Sequence, residues 1–295
     1  MIVVVVHADA RSLRASGARE GFVDLVARVL PQATVRFAED GQDIVRQAKD
    51  AIADGATLVA AGGGDGTVNS IAGLLAGTDV ILGVLPMGTL NHFARDLGIP
   101  VELEDALHVL TDGHAATVDA GEVNGRIFVN NSGLGLYPDI VHQRERRTQG
   151  KGKWLAAIWE GLRALMRYRL LGVRIVVNGE KLLRRTPAIM VSNNEYALQG
   201  FAAPTRPHLD ANVLSLYVPH PTGRLRLVWF AMQALFWRSF PDSDFDMTLT
   251  DSLVIESRRH QLRVSLDGEV TTMAPPLTYR SRGGALRVMT PKPVE

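Results

Sequence analysis

The residues of this chain best suited to chemistry are Gly62-Gly63-Gly64-Asp65-Gly66-Thr67-Val68-Asn69, which lie between an apolar run and an apolar helical pattern. Glycines take positive φ readily and let backbone N–H groups approach phosphate oxygens with no Cβ in the way. The N-terminus of the following helix adds partial positive charge. The run reads as a phosphate cradle. Thr67 is placed to cap the helix or to bond a phosphate, and Asp65, a carboxylate amid anionic oxygens, makes sense if a divalent cation sits between them. The run lacks the Lys-Ser/Thr of a Walker loop. It also fails the dinucleotide fingerprint, whose second half needs a glycine where this chain has Thr67.

The elements that must position this run follow from periodicity. Short apolar runs Ile2–Val6, Thr34–Phe37, Thr57–Ala60 and Val80–Leu85 alternate with helical patterns around Phe22–Leu30, around Asp43–Ala53 and from Thr67. Such alternation means βαβ units around a parallel sheet buried on both faces. From about Gly125 the rhythm changes to strand after strand: Arg126–Asn130, Val173–Val177, Pro187–Ser192, Val213–Val218, Met247–Thr250, Leu253–Ser257, Leu262–Leu266 and Leu286–Met289. Period-2 runs separated by Gly, Asn, Asp or Pro suggest an antiparallel sandwich or partly open barrel. Helical patterns Trp154–Leu171 and Thr222–Phe236 interrupt it. We therefore expect an α/β domain over 1–124 and a mostly β domain over 125–280, with 281–295 returning to the first.

Composition narrows the classes. With 295 residues the chain has room for two domains, each with its own core. Its 32 basic and 31 acidic side chains balance to +1, which argues against a protein whose main work is gripping nucleic acid. The absence of cysteine excludes disulfides, Cys-ligated metal and a thiol nucleophile, and the cytoplasm is the default compartment. The apolar start MIVVVVHAD is too short and wrongly flanked for a signal peptide, and Leu227–Trp237 is too short to span a bilayer.

Gly-Gly-Gly-Asp-Gly-Thr-Val-Asn together with Pro86-Met-Gly88-Thr89-Leu-Asn91-His92-Phe-Ala-Arg-Asp-Leu-Gly-Ile-Pro100 resembles the diacylglycerol kinase catalytic family, which includes bacterial lipid kinases and the sphingosine and ceramide kinases. The likeness continues through Asp119-Ala-Gly, Asn130-Asn-Ser-Gly-Leu-Gly, Lys151–Arg169, Asn193–Pro204 and Leu266-Asp267-Gly268-Glu269. It implies a Rossmann-like, phosphofructokinase-like nucleotide domain followed by an antiparallel β-sandwich, and an ATP- and magnesium-dependent transfer of the γ-phosphoryl group to a lipid alcohol, diacylglycerol by default or a sphingoid base. By resemblance, Gly62, Gly63, Gly64, Asp65, Gly66, Thr67, Asn69, Gly88, Thr89 and Asn91 bind ATP. Asp65 acts through water on magnesium, Asp119 joins that metal–water network, and Glu269 is the general base on the lipid hydroxyl. A carboxylate base suits an alcohol, a weak acid, while positioning and electrostatics carry phosphoryl transfer. Read without the resemblance, Asp267-Gly268 signals a hairpin turn, Asp119 a loop start, and Asn69 and Asn91 helix caps.

The pattern departs in places. His92 stands where the family often has aspartate. The structural-magnesium loop, usually Asp-Asp-Gly or Asn-Asp-Gly, reads Leu209-Asp210-Ala211-Asn212-Val213, which leaves Asp210 as the candidate ligand and weakens that site. The N-terminal nucleotide motif has become His7-Ala8-Asp9-Ala10, and Ala38 replaces a threonine. These departures motivate a second reading, a non-catalytic nucleotide- or lipid-binding protein. An NAD kinase, whose family shares the Gly-Gly-Asp-Gly-Thr loop, is disfavoured because its second-domain Pro-Thr-Gly-Ser-Thr-Ala-Tyr segment has no counterpart here.

A lipid kinase meets its substrate at an interface. Trp154, Trp159 and Tyr168 among Arg163, Arg167 and Arg169, after the basic run Arg144–Lys153, suit transient contact with an anionic inner membrane face. The same helix could instead bury an apolar stripe against the β domain. The run from Arg224 to Trp237 is apolar around most of its helix, which favours the core. Homodimerisation is left open.

Overall fold

In the computed structural model of the protein the described residues are 1–15, 17–135, 170–196, 206–219 and 245–292. The helical patterns within 154–169 and 222–236, the basic run 144–153 and most of Asn193–Pro204 lie outside them. The chain divides into two compact units: Met1–Asn130 with Leu209–Asn212 and Arg282–Glu295, and Asn131–His208 with Val213–Ser281.

The first unit contains, in order, β1 (Ile2–His7), α1 (Ala18–Val29), β2 (Ala33–Ala38), α2 (Gly41–Ala53), β3 (Leu58–Gly63), α3 (Asp65–Leu75), β4 (Ile81–Pro86), α4 (His92–Asp96), α5 (Leu103–Asp112), β5 (His114–Val123) and β6 (Arg126–Phe128), of which α4 and α5 are not expected from the sequence. Strands run β2-β1-β3-β4, every pair parallel. Apolar helices on such a sheet leave its central strands no wet face, which is why Val3–Val6 and Leu58–Gly63 are unbroken apolar or glycine runs and are buried throughout. Each fully buried valine is worth about 1.5–2 kcal/mol over an exposed one.

The second unit is β throughout its described residues: β7 (Asn131–Gly135), β8 (Leu171–Val177), β9 (Glu180–Thr186), β10 (Ala188–Asn193), β11 (Leu214–Pro219), β12 (Phe245–Thr250), β13 (Ser252–Ser257), β14 (Leu262–Leu266), β15 (Glu269–Met273) and β16 (Leu277–Thr290). One antiparallel sheet has the order β12-β11-β10-β7-β14-β15, and β16, β13, β8 and β9 pair in that order, also antiparallel. Strand β16 changes allegiance along its length. Leu277–Arg280 pairs with β13, while Arg287 and Val288 pair parallel to β4 in the first unit. Gly283 and Gly284 lie where it changes over, and Gly284 has φ +62°, a conformation few other residues adopt. Leu286–Met289 is thus the tail of a longer strand.

Among the described residues no helix is long and apolar enough to cross a membrane.

Candidate active site

Phosphate-binding geometry in an open parallel sheet gathers beyond the carboxyl ends of the strands. Here the turns after β3 and β4 lie side by side there. Gly63 pairs with Pro86, and the Met87 N–H donates to the Gly63 carbonyl at 3.0 Å. The glycines are needed for room: Gly62, Gly63 and Gly64 all keep ordinary negative-φ or extended backbone, so the positive φ expected of them is absent. A Cβ on Gly62 would sit 3.0 Å from Val6 Cγ2 and 3.2 Å from Met87 Sδ, and one on Gly63 would strike the Thr67 side chain. A Cβ on Gly88 would sit 2.5 Å from the Gly64 Cα. The two turns therefore touch backbone to backbone at Gly64 and Gly88, and a side chain at Gly88 would fill the cradle.

Helix α3 starts at Asp65 with Gly64 as its cap, two residues earlier than the expected start at Thr67. Thr67 does not cap; buried in the first turn, it lies over Gly63. The early start points the unpaired N–H groups of the first turn, Gly66 among them, into the space beside Gly64. Asn91 takes the left-handed conformation (φ 49°) before α4 and makes no cap bond. Instead its Oδ1 accepts the Gly88 N–H at 3.0 Å and its Nδ2 donates to the Gly88 carbonyl at 3.3 Å, which stiffens the second turn. Asp65 Oδ1 accepts the Phe93 N–H at 3.4 Å, tying the start of α3 to that of α4. Thr89 is exposed at the tip of the turn. Asn69, buried within α3 and not at its cap, leaves its Oδ1 without a hydrogen-bond partner.

These residues fit a nucleotide's phosphates: a glycine cradle that a Cβ would fill and converging backbone N–H groups. A cation would have Asp65 beside it. Among the described residues no group of three or more His, Asp or Glu could cage one, so it would share its shell with phosphate and water, as magnesium commonly does.

Asp119 lies within β5, not after it, and is buried. Its Oδ2 accepts the Asn212 N–H at 2.6 Å and its Oδ1 the Gly284 N–H at 2.8 Å, while its own N–H donates to the Leu209 carbonyl at 2.7 Å. Asp210 is exposed, Ala211 has no donor atom and Asn212 is left-handed (φ 53°), so the residues of the Leu209–Asn212 loop do not fit a metal cage.

Glu269 belongs to the second unit, exposed at the first position of β15. It follows a two-residue hairpin turn in which Asp267 (φ 47°) and Gly268 (φ 95°) are both left-handed. The Asp267 side chain is used structurally: its Oδ1 accepts the Asn131 N–H at 2.8 Å, and its N–H returns to the Asn131 carbonyl at 2.9 Å. Asn131 and Asn194, within the Asn130-Asn-Ser-Gly-Leu-Gly and Asn193–Pro204 runs but given no role from sequence, and Ser265, outside any motif, each bury an oxygen with no hydrogen-bond partner among the described residues. A lone Asn or Ser in a strand carries no signal of that.

Residues 2–123 match the family model described as the diacylglycerol kinase catalytic domain. A diacylglycerol kinase of Staphylococcus epidermidis is 30% identical over 178 residues, 54% of this chain and 56% of that protein, so the chain spans about half the length of that curated relative. A diacylglycerol kinase of Bacillus subtilis is 29% identical over 238 residues, 79% of this chain and 78% of the relative. The crystal structure of a diacylglycerol kinase from Bacillus anthracis is similar in fold, with a TM-score of 0.71 at 20% identity, over 99% of this chain and 97% of that one.

Proposed function

From these similarities we propose that the chain is a member of the diacylglycerol kinase catalytic family, an ATP- and magnesium-dependent lipid kinase acting on the hydroxyl of diacylglycerol or a similar lipid alcohol. The observation that carries the reading is the backbone-to-backbone apposition of Gly64 and Gly88, with Asp65 and the first-turn N–H groups of α3 converging on the space beside them. Bound magnesium–ATP supplies an electrophilic γ-phosphoryl group and a good leaving group.

The protein's part is positioning and charge. N–H groups around Gly63–Thr67 and Gly88–Asn91 hold the phosphates. Asp65 would hold a magnesium ion through water, and the ion would offset the negative charge gathered there. Glu269 takes the acceptor hydroxyl's proton as that oxygen attacks. His92, at the start of α4, offers no oxygen to a magnesium ion, so Asp65 carries more of the cation's orientation. In this reading the chain is cytoplasmic and touches the inner membrane face only to collect its lipid.

The test is transfer of labelled phosphate from magnesium–ATP to dioleoylglycerol, sphingosine and octadecanol in mixed micelles, with NAD as a soluble acceptor. Asp65→Asn and Glu269→Gln should each lower the rate by at least about 100-fold, the scale of a lost general base or a misplaced cation. A folded Glu269→Gln protein with the full rate overturns the reading, and labelled NAD would replace it with an NAD kinase.

A further inference from the structure

We infer that the end of the sheet β12-β11-β10-β7-β14-β15 at which Glu269 begins β15 holds the uncharged polar head of the acceptor, through Asn131, Asn194 and Ser265. This rests on the lipid-kinase reading and names the residues that select its acceptor.

The strand register brings these residues to one place. Asn131 starts β7 and sits opposite Ser192 near the end of β10, and Asn194 follows that end, its N–H donating to the Val213 carbonyl at 3.0 Å. Ser265 lies near the end of β14, opposite Gly133 of β7 and Val270 of β15. Cross-strand pairs share a face, and residues two apart on a strand share it too, so Asn131, Ser192 and Ser265 project to the same side, separated only by a residue without a side chain, Gly133. Asn131 is bolted to the Asp267-Gly268 turn that precedes Glu269.

Their hydrogen-bonding groups are unused. Ser265 and Asn194 are fully buried, yet Ser265 Oγ and both amide atoms of Asn194 find no partner, nor does Asn131 Oδ1. A buried polar atom left unsatisfied loses its hydration with nothing in return, and native folds keep few of them. Several gathered at one end of one sheet therefore mark a place built to be completed by something else. The groups are hydroxyl and amide, so they offer donors and acceptors but no charge. The nearby buried cation, Arg206, is already engaged: it donates to the Asn193 carbonyl at 3.0 Å and its guanidinium lies 5.6 Å from the Tyr196 ring centroid. Such a surface fits a neutral head with hydrogen-bonding oxygens besides the reacting hydroxyl, as in a glycerol ester, better than an anionic one. The cross-strand row that holds Ser265 and Gly133 continues through Met190 and Tyr217 to Met247, so apolar side chains flank the polar groups on the same face, which suits an acceptor polar at one end only.

The experiment compares kcat/KM for dioleoylglycerol with that for octadecanol, a lipid alcohol with no other polar group, in wild-type protein and in Ser265→Ala and Asn131→Ala made singly. Each variant should lower the preference for dioleoylglycerol about 3- to 10-fold, one hydrogen bond's worth. Unchanged preference in both, with a lowered melting temperature, means that the groups bind structural water and overturns the inference. Retention of dioleoylglycerol micelles by Glu269→Gln protein, with and without Ser265→Ala, reads binding without turnover. Weaker retention in the Ser265→Ala protein supports the inference even where wild-type protein transfers no phosphate, the outcome that would sink the kinase reading instead. Normal transfer with unaltered preference and retention sinks the inference alone.

Discussion

At Gly64 and Gly88 the difference between two glycines can be measured. A methyl at Gly88 would sit 2.5 Å from the Gly64 Cα and 2.8 Å from Asn91 Oδ1, so Gly88→Ala must push the two turns apart. A methyl at Gly64 meets nothing nearer than 3.5 Å, and its φ of −89° is open to any residue. Gly88→Ala should therefore cost about 1–3 kcal/mol by overpacking, read by calorimetry, and should lose magnesium–ATP binding as well. Gly64→Ala should unfold like wild type while binding magnesium–ATP more weakly, because its methyl stands in the space kept for phosphate. Equal stability losses in the two variants would show that the apposition is not what holds the cradle. The glycine run stands out in the sequence, but the reason for its glycines does not: positive φ is a property of one residue, whereas room beside a second turn exists only once the turns are brought together.

At the scale of elements, the sequence announced what repeats and hid what does not. Asp267-Gly268 was readable as a hairpin, and Asn124-Gly125 and Asn178-Gly179 make the same left-handed turns between β5 and β6 and between β8 and β9. Strand β9 escaped notice because it is mostly exposed, with Leu183 72% accessible, so no alternation marks it. The short helix α4 is below the length at which periodicity speaks. Helix α2 is begun by Asp40, whose side chain accepts the Asp43 N–H at 2.8 Å. Asp43 in turn accepts the Glu39 N–H and pairs with Arg46, and these hold its carboxyl below the ordinary 3.8. A depressed folded value stabilises above the unfolded pKa and is lost as pH falls through the folded one. Asp43→Asn should then melt below wild type at pH 7, and the gap should begin to narrow near pH 3.8 and close as the pH falls through the lower folded value. Buried pairing is testable too. Ser132 Oγ and Tyr279 Oη lie 3.0 Å apart and fully buried, where burial pushes the Tyr279 hydroxyl's pKa well up and keeps it neutral. Ser132→Ala or Tyr279→Phe alone should cost about 1–3 kcal/mol, and the double variant less than their sum, since the two side chains share one hydrogen bond.

Over the whole molecule the chain leaves the first unit at Asn130 and comes back to it twice, as Leu209–Asn212 and from Arg282 onward. The four residues of the first return lie inside a run of strands and carry no pattern of their own in the sequence. Both returns meet at one carboxylate. Asp119 accepts an N–H from Asn212 of the first and from Gly284 of the second. Asn212 Oδ1 lies where a Cβ on Gly283 would be, 2.6 Å away, so the two returning segments also pack on each other. With each carboxylate oxygen receiving a backbone donor, Asp119 acts as a clasp between chain segments. Asp119→Asn would replace one acceptor with an N–H aimed at another N–H, at a cost of about 2–3 kcal/mol in denaturant unfolding. A chelator should leave the wild-type midpoint where it is, since Ala211 and the exposed Asp210 build no cage there. A fall in that midpoint on chelation, reversed by magnesium and abolished in Asp210→Asn, would instead restore a cation to the Leu209–Asn212 loop.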